Sequence, residues 1–579
     1  MRRVLLLVLL VLLGAAGYVA VRGVMARNEL EQARPQVDKV KAAVLDGDTA
    51  AAQEALARLQ HHAHKARNDA SGRLWQLAGH LPVVGDDVDG VHQVTVAIDR
   101  VATDVLPPLV DVAASVQPSS LRIAGDRIDT EPLTKAEPSL TEAARRSAEV
   151  LAGLADLRPG RMLSPVGTAV RDVRQQVQDL DSTATKAARA ARLLPPMLGA
   201  GGKRTYLLEF QNNAEARGTG GLLGAYGTLE VFRGRVRIAH LGPNTELRNE
   251  KRLPVDLGQD YFDLYGNDPA LWVNSNESPH FPYAAKIWLE LYRKQFGQRL
   301  DGVIATDPVA MGYLLAVTGP ATLTTGERVT SENAVELTLR DVYARFPGNN
   351  TRRDLFLQQI ARAVFEKVLS GQGDPVEVVD ALSKAVDERR LLVYSASARE
   401  QADLSRTSIA GVVHRGDGPY VGLVINNAAG SKMDYYLARS LIYAQGPCTG
   451  ARQQSTVRVT LVNTAPTSGL PPYVTIRADE RAVRGFEKAP KGSNVSYVQV
   501  YATPGTELLG ATVDGEPLEV IPGRERGKRV FTYRAVLLAG ETQDVVLRLD
   551  EPRTSGPVLV LKQPLVKPMT LRADARRCD

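Results

Sequence analysis

Apolar positions divide the chain into three stretches of different period. From about residue 28 to 197 they recur at helical spacing, most clearly in Val166, Val170, Val173, Val177, Leu180, Ala184, Ala187, Ala191 and Leu194, with Pro195-Pro196 expected to end the helix. Val88, Val91, Val94, Ile98, Val101 and Val105 form a similar run. These stripes are rich in alanine and valine and too irregular for a sustained heptad, so they predict several packed helices rather than one long coiled coil. The expected breaks are Asp46-Gly47, Pro82, Pro107-Pro108, Pro118 and Pro159-Gly160.

After Gly199-Ala200-Gly201-Gly202 the period changes. Strands are expected from Tyr206 to Phe210, Leu222 to Phe232 and Val236 to Leu241, with Arg233-Gly234 as a turn. Helices then interleave with strands: a helix from Tyr283 to Phe296, a short strand from Gly302 to Thr306, and a helix from Asp307 to Val317 opened by an aspartate cap and a proline. Two more helices follow, from Ser331 to Arg345 and from Arg353 to Leu369. This alternation predicts an α/β or mixed α+β domain around a central sheet. From about residue 410 the pattern is alternating throughout, as in Val457, Val459 and Leu461 or Tyr497 to Tyr501, with Pro and Gly turns, which predicts a β-sandwich.

The chain begins Met-Arg-Arg, and Val4 to Val21 then carries no charge, close to the lower limit for crossing a hydrocarbon core of roughly 30 Å. An uncleaved anchor is the favoured reading; a signal peptide cleaved near Ala15, Ala16 and Gly17 is the rival. Arg2 and Arg3 face Arg22, Arg27 and Arg34, so charge sets no orientation. The expected organisation is multidomain: a transmembrane helix in 1–25, an α-helical stalk or bundle in 26–198, an α/β domain in 203–400 and a β-rich sandwich in 405–579.

Composition narrows the chemistry. The net charge of +6 comes from 71 basic and 65 acidic residues spread along the chain, with no basic face of the kind nucleic acid demands. Cys448 and Cys578 lack zinc or thiol-redox spacing, and one disulfide is their simplest use. His61, His62 and His64 sit in an alanine-rich helix with no carboxylate at ligand spacing, so no metal is expected. No Gly-x-Ser-x-Gly elbow, His-Glu-x-x-His or Walker loop supports hydrolase or nucleotide chemistry.

Three polar clusters remain. In Phe210-Gln211-Asn212-Asn213-Ala214-Glu215-Ala216-Arg217, amides, a carboxylate and an arginine follow directly on a strand, where α/β sheets commonly line a ligand crevice; alternatively the asparagines only cap a turn. Asn274 and Asn276 lie in a loop before a helix and can meet sugar hydroxyls or a phosphate, or simply form the turn. Arg352 and Arg353 open a helix and can clamp a phosphate, or be solvated. Asp307 is most simply an N-cap.

The runs Tyr206-Leu-Leu-Glu-Phe-Gln-Asn-Asn-Ala-Glu215, Thr219-Gly-Gly-Leu-Leu-Gly-Ala-Tyr-Gly227, Leu300-Asp-Gly-Val-Ile-Ala-Thr-Asp-Pro308 and Thr318-Gly-Pro320 resemble a bacterial extracytoplasmic family known as domain of unknown function four thousand and twelve. The likeness extends over roughly 200–445, including Asn426-Asn-Ala-Ala-Gly-Ser-Lys432 and Asp434-Tyr-Tyr436. A fainter likeness is to the LytR-CpsA-Psr transferases, membrane-anchored enzymes that move glycopolymers from polyprenyl pyrophosphate to the cell wall. Arg352 would match one of their arginines. The sequence departs from that family at Gly224-Ala225-Tyr226-Gly227, where an aspartate is expected, and at Pro243-Asn244-Thr245, where an arginine and an aspartate are expected.

The resulting expectation is a single-pass, extracytoplasmic cell-envelope protein binding a surface polysaccharide or lipid-linked glycan precursor, without catalysis and without a cofactor. The ligand contacts would be Asn212, Asn213, Glu215, Arg217, Asn274, Asn276, Arg352 and Arg353. The alternative is a divergent phosphotransferase in which the arginines clamp phosphate, Glu215 or Asp307 replaces the missing carboxylate, and magnesium takes part.

Overall fold

The computed structural model describes the backbone of residues 2–82, 84–115, 123–124, 127–416, 418–477 and 489–574; the side chains of 2–15, 45, 113–115 and 123–124 lie outside that description. The chain divides into two compact units, one formed by 1–122 with 128–202 and the other by 123–127 with 203–579.

The first unit is helical. Its helix α1 (Arg2–Leu45) turns through Gly47 into α2 (Thr49–Asp69), whose first turn is capped by Asp48 accepting from the Ala51 amide at 3.0 Å. Ala33, Val40, Ala52, Ala55 and Leu59 form their shared core; small side chains let the two backbones come close. α1 runs unbroken past residue 25, so the expected boundary between anchor and stalk falls inside one helix. Among the described residues no helix is long and apolar enough to cross a membrane, and most of the expected span, Val4 to Ala15, has side chains outside the description.

After α3 (Arg73–Gly79), α4 (Gly85–Arg100) passes through a π turn at Val101–Val105 into α5 (Leu106–Ser115). The expected break at Pro107-Pro108 therefore does not occur: both prolines fall in the first turn of α5, directly after the π turn. α6 (Glu131–Gly153) and α7 (Ser164–Met197) flank the expected break at Pro159-Gly160. α7 ends at Met197, one residue past Pro195-Pro196, where the helix was expected to stop, and Pro118 lies outside the described residues. His62 meets Glu29 at 2.7 Å and His64 meets Asp99 at 3.7 Å, so carboxylates reach these histidines from other helices. Each carboxylate also holds a cation, Lys65 on Glu29 and Arg67 on Asp99.

The second unit joins the two expected C-terminal domains in one body. Its first sheet has β1 (Arg204–Arg217) at the centre, antiparallel to β2 (Gly220–Phe232), which pairs with β3 (Arg235–Pro243). On the other side β4 (Gly302–Thr306) lies parallel to β1, and β5 (Leu391–Ser395) closes that edge antiparallel. Two-residue strands at 123–124 and 127–128 extend the β3 edge, where Arg127 pairs with Arg235. Helix α8 (Gln259–Tyr265) precedes α9 (Phe281–Phe296), which buries Phe281, Ile287, Trp288 and Leu291 against Leu207, Val303 and Leu392 of the sheet.

α10 (Pro308–Thr318) starts at the Asp307 cap. The helix expected from Ser331 to Arg345 is α11 (Ala334–Glu336) and α12 (Val342–Arg345) joined by a π turn, and α13 (Asn350–Leu369) and α14 (Pro375–Asp387) follow.

The sandwich has two sheets. One has the order β11 (Ile521–Glu525), β12 (Lys528–Leu537), β9 (Asn494–Ala502), β6 (Tyr420–Asn427), β14 (Leu559–Lys562). The other has a two-residue strand at 516–517, then β10 (Glu507–Val513), β13 (Thr542–Pro552), β8 (Arg452–Asn463), β7 (Leu437–Thr449), β15 (Thr570–Asp574). Leu423, Val498, Val500 and Phe531 from the first sheet meet Leu441, Val459 and Leu547 from the second in a common core. No described cysteine is free; Cys578, the expected partner of Cys448, lies outside the described residues.

Candidate functional site

The polar segment after Phe210 does not end a strand. β1 continues to Arg217 with two bulges, one between Phe210 and Gln211 and a wider one between Asn212 and Ala216, so Asn213, Ala214 and Glu215 leave the ladder. The glycines opposite are set by contact. A Cβ at Gly218 would sit 2.1 Å from the Glu277 carbonyl oxygen, and one at Gly221 would sit 2.3 Å from the Asn212 backbone. The bulged residues turn into the seam between the first sheet and the sandwich.

Arg217, 4% exposed, is the hub of that seam. Its Nε donates to the Val273 carbonyl at 2.9 Å, Nη1 to the carbonyls of Ala216 at 2.8 Å and Asn427 at 3.1 Å, and Nη2 to Glu215 Oε1 at 3.2 Å and Asn274 Oδ1 at 3.0 Å. A guanidinium has five N–H donors, and these five bonds use all of them. Glu215 Oε2 takes the Lys432 ammonium. Burial by itself would raise the Glu215 carboxyl, but Lys432 and Arg217 outweigh it and hold it below the ordinary carboxylate range. Asp434 binds the Ala216 amide at 2.7 Å together with Asn427 and Asn494. Gln563 of the loop after β14 donates to the carbonyls of Arg217 and Ile425, both at 2.7 Å.

A second group sits beside it. Asn213 donates to Asp307 at 3.1 Å and to the Pro564 carbonyl at 2.9 Å, and Arg390 meets Asp307 at 2.7 Å while also binding the Leu565 carbonyl. Burial raises the Asp307 carboxyl despite Arg390. Asp307 also caps α10 through the Ala310 amide, as expected. Nearby, Glu209 is wholly buried, and burial pushes its carboxyl well up against the opposing pull of Gln211. Asn212 reaches the Tyr343 hydroxyl at 2.7 Å, and Arg353 stacks 4.3 Å from the Tyr473 ring while binding Asp354 and Asn350. Asn276 ties Thr219 and the Gly221 carbonyl to the loop before α9.

The expected ligand residues are therefore brought together, but as a joint. Asn213, Glu215, Arg217 and Asn276 are buried and spend their polar groups largely on protein partners, Asn212 and Arg353 do so at one end of the joint, and Arg352 stands exposed at the start of α13. Arg352 does not converge with Glu215 or Asp307, each of which already has its own cation. Lys432, Asp434, Arg390 and Gln563 are the partners that local sequence reading missed as such, because they arrive from at least 83 residues away.

Next to the seam is an open cavity of about 700 Å³. Its floor is the outer face of the five-stranded sheet, with Asn426, Tyr497, Gln499 and Thr532; its wall is α8 and the loop after it, with Asp260, Asp263, Tyr265 and Asp268; Arg524 and Arg529 stand at the sheet side. The Tyr265 hydroxyl holds α8 down on the sheet through Gln499 at 3.4 Å, Tyr501 at 3.3 Å and Glu525 at 3.2 Å. Asn426 donates to the Glu277 carbonyl at 3.0 Å, and its own Oδ1 has no partner. The Glu277 carboxyl lines the cavity; burial raises it to about 8, Arg217 pulling against this and Asp268 adding to it. A carboxyl raised this far is mostly protonated at neutral pH, and in that form it is able to donate. The site thus offers amide, hydroxyl and neutral carboxyl groups beside an aromatic ring, in a volume suited to a small organic ligand.

Among the described residues no cluster of histidine, cysteine and carboxylate suited to a metal occurs. Residues 201–343 match the family model described as "Protein of unknown function (DUF4012)". The match ends short of the Asn426–Lys432 and Asp434–Tyr436 stretches included in the sequence resemblance. No curated protein and no solved structure matches the chain, so the LytR-CpsA-Psr likeness gains no support from either.

Proposed function

We infer that this chain, whose residues 201–343 belong to the DUF4012 family of proteins of unknown function, is a non-catalytic binding protein of the cell envelope that holds a surface polysaccharide or a lipid-linked glycan precursor. The observation that carries this reading is the cavity beneath α8, where Asn426, Gln499, Thr532 and a protonated Glu277 converge beside Tyr497. Sugar hydroxyls both donate and accept, so a lining of amides, hydroxyls and neutral carboxyl suits them, and an aromatic ring gives a pyranose a face to pack on. The ligand contacts move from the eight residues expected from sequence to this neighbouring surface. The N-terminal apolar segment would tether the protein to the membrane with the second unit outside the cell.

The transferase alternative needs arginines free to meet phosphate. Arg217 has no donor left, Arg353 is committed to Asp354, Asn350 and Tyr473, and Arg352 stands apart. The test is saturation-transfer NMR of the full-length protein in detergent with neutral and acidic oligosaccharides, paired with native mass spectrometry for co-purified polyprenyl phosphate. Glycan signals that disappear in Tyr497→Ala support the reading. Co-purified polyprenyl phosphate with no glycan binding would overturn it in favour of the transferase.

A further inference from the structure

We propose that the occupant of this site is an extended, uncharged glycan chain lying across the sandwich, so that the protein recognises a polymer rather than a single sugar. The proposal rests on the glycan-binding reading and adds to it the shape and charge class of the ligand.

The first observation is strand register. Asn426 pairs with Tyr497 and Tyr497 with Arg534, while Val424 pairs with Gln499, Gln499 with Thr532 and Thr532 with Ile521. Side chains alternate across a strand. Because Val498, Val500 and Phe531 face the sandwich core, these residues all stand on the opposite, outer face. They make two adjacent rows at right angles to the strands. The longer row ends inward at Val424, which is fully buried, so its open members Gln499, Thr532 and Ile521 cross three strands, two spacings of about 4.8 Å, or roughly 10 Å in all. That is long enough for about two sugar rings end to end, and the hollow beyond it lengthens the floor.

The second observation is that the cavity does not close at the far end of these rows. A smaller hollow of about 160 Å³ continues it and shares Tyr497, Ile521 and Thr532 with the first, adding Leu518, Glu519 and Arg534. Ile521 is 57% exposed in the hollow, an apolar side chain facing solvent at a sheet edge. α8 covers one end of the outer face and leaves the other open, so a ligand anchored under the helix has a continuous floor to follow outward.

The third observation concerns charge. Around the groove the acidic side chains are Asp260, Asp263, Asp268 and Glu519, and the basic ones are Arg524, Arg529 and Arg534. Asp260 pairs with Arg524 and Glu519 with Arg534. With Glu277 protonated, the near-balance gives no field that would gather a uronic or phosphorylated polymer, and two of the three arginines stand beside a carboxylate. A neutral chain is the class that fits.

The test is isothermal titration of the full-length protein in detergent with linear β-1,4-glucose and α-1,4-glucose oligomers of two to seven residues, and with a mannose series. The expected result is an affinity that rises at least tenfold between the disaccharide and the tetrasaccharide of one series and then levels off. In Ile521→Asp the gain between disaccharide and tetrasaccharide disappears. Affinity independent of length, or tighter binding of sulfated or uronic chains at physiological salt, would overturn the extended neutral chain and leave the glycan-binding reading standing. Failure of every oligosaccharide in a protein whose circular dichroism is that of the folded chain would overturn both, as would selective capture of an extended peptide along the β11 edge.

Discussion

Replacing Arg217 by methionine tests whether this residue is a joint or a ligand contact. The substitution keeps the stem that fills the seam and removes five donors at once, leaving the carbonyls of Val273, Ala216 and Asn427, the Asn274 oxygen and Glu215 Oε1 without them. Glu215 keeps Lys432, so the buried carboxylate is not left wholly unpaired. Breaking one partner out of a buried ion pair costs about 3–5 kcal/mol. The stranded carbonyls add to this, each unsatisfied buried group costing about 1–3 kcal/mol where water does not reach it. The expected loss for Arg217→Met is therefore at least about 4 kcal/mol. Arg217→Lys, with three donors and no planar fork, should lose roughly half as much. Urea unfolding followed by tryptophan emission reads this directly, because Trp272 and Trp288 are fully buried in the same unit. A loss below about 1 kcal/mol in Arg217→Met, combined with loss of oligosaccharide binding, would refute the reasoning and return Arg217 to the ligand site.

Glu277 makes stability depend on pH. Its carboxyl is raised to about 8 in the folded protein, so the proton it holds favours the fold; this contribution is complete below the ordinary carboxylate range and is lost as pH rises through 8. Urea midpoints of the natural protein should fall relative to those of Glu277→Gln between pH 5 and 9, and parallel curves would contradict the assignment. Gly218→Ala places a methyl 2.1 Å from the Glu277 carbonyl oxygen, and the forced shift should cost at least about 2 kcal/mol in thermal unfolding; an unchanged midpoint would mean the contact is loose. Arg352→Ala removes an exposed side chain and should change stability by no more than about 0.5 kcal/mol while oligosaccharide affinity stays the same; lost affinity would put Arg352 back in the site.

The period of apolar positions was enough to separate helical, mixed and all-β stretches, because burying one face of a helix or a strand imposes 3.6- or two-residue spacing wherever the chain packs. It also placed the strand at Gly302–Thr306, the Asp307 cap and the helix at Phe281–Phe296 almost to the residue, since caps and Pro–Gly punctuation act locally. Prolines misled at one place: the chain runs through the π turn at Val101–Val105 and on past Pro107 and Pro108 without a break, whereas Pro195-Pro196 does close its helix.

The polar cluster after Phe210 was visible from its composition, but its role was not. Whether Arg217 is free or spent depends on carbonyls at 273 and 427, and Glu215 depends on Lys432; none of these is near in sequence. The cavity was hidden for a related reason. Gln499 and Thr532 alternate with core valines and phenylalanine just as any solvent-facing strand residues do, and only the docking of α8 through Tyr265 makes that face a floor. Sequence alone determined which side chains are buried on each element, because that is decided within a few residues. The tertiary structure decided which polar groups are satisfied and which still face a space, because that requires partners brought from hundreds of residues away.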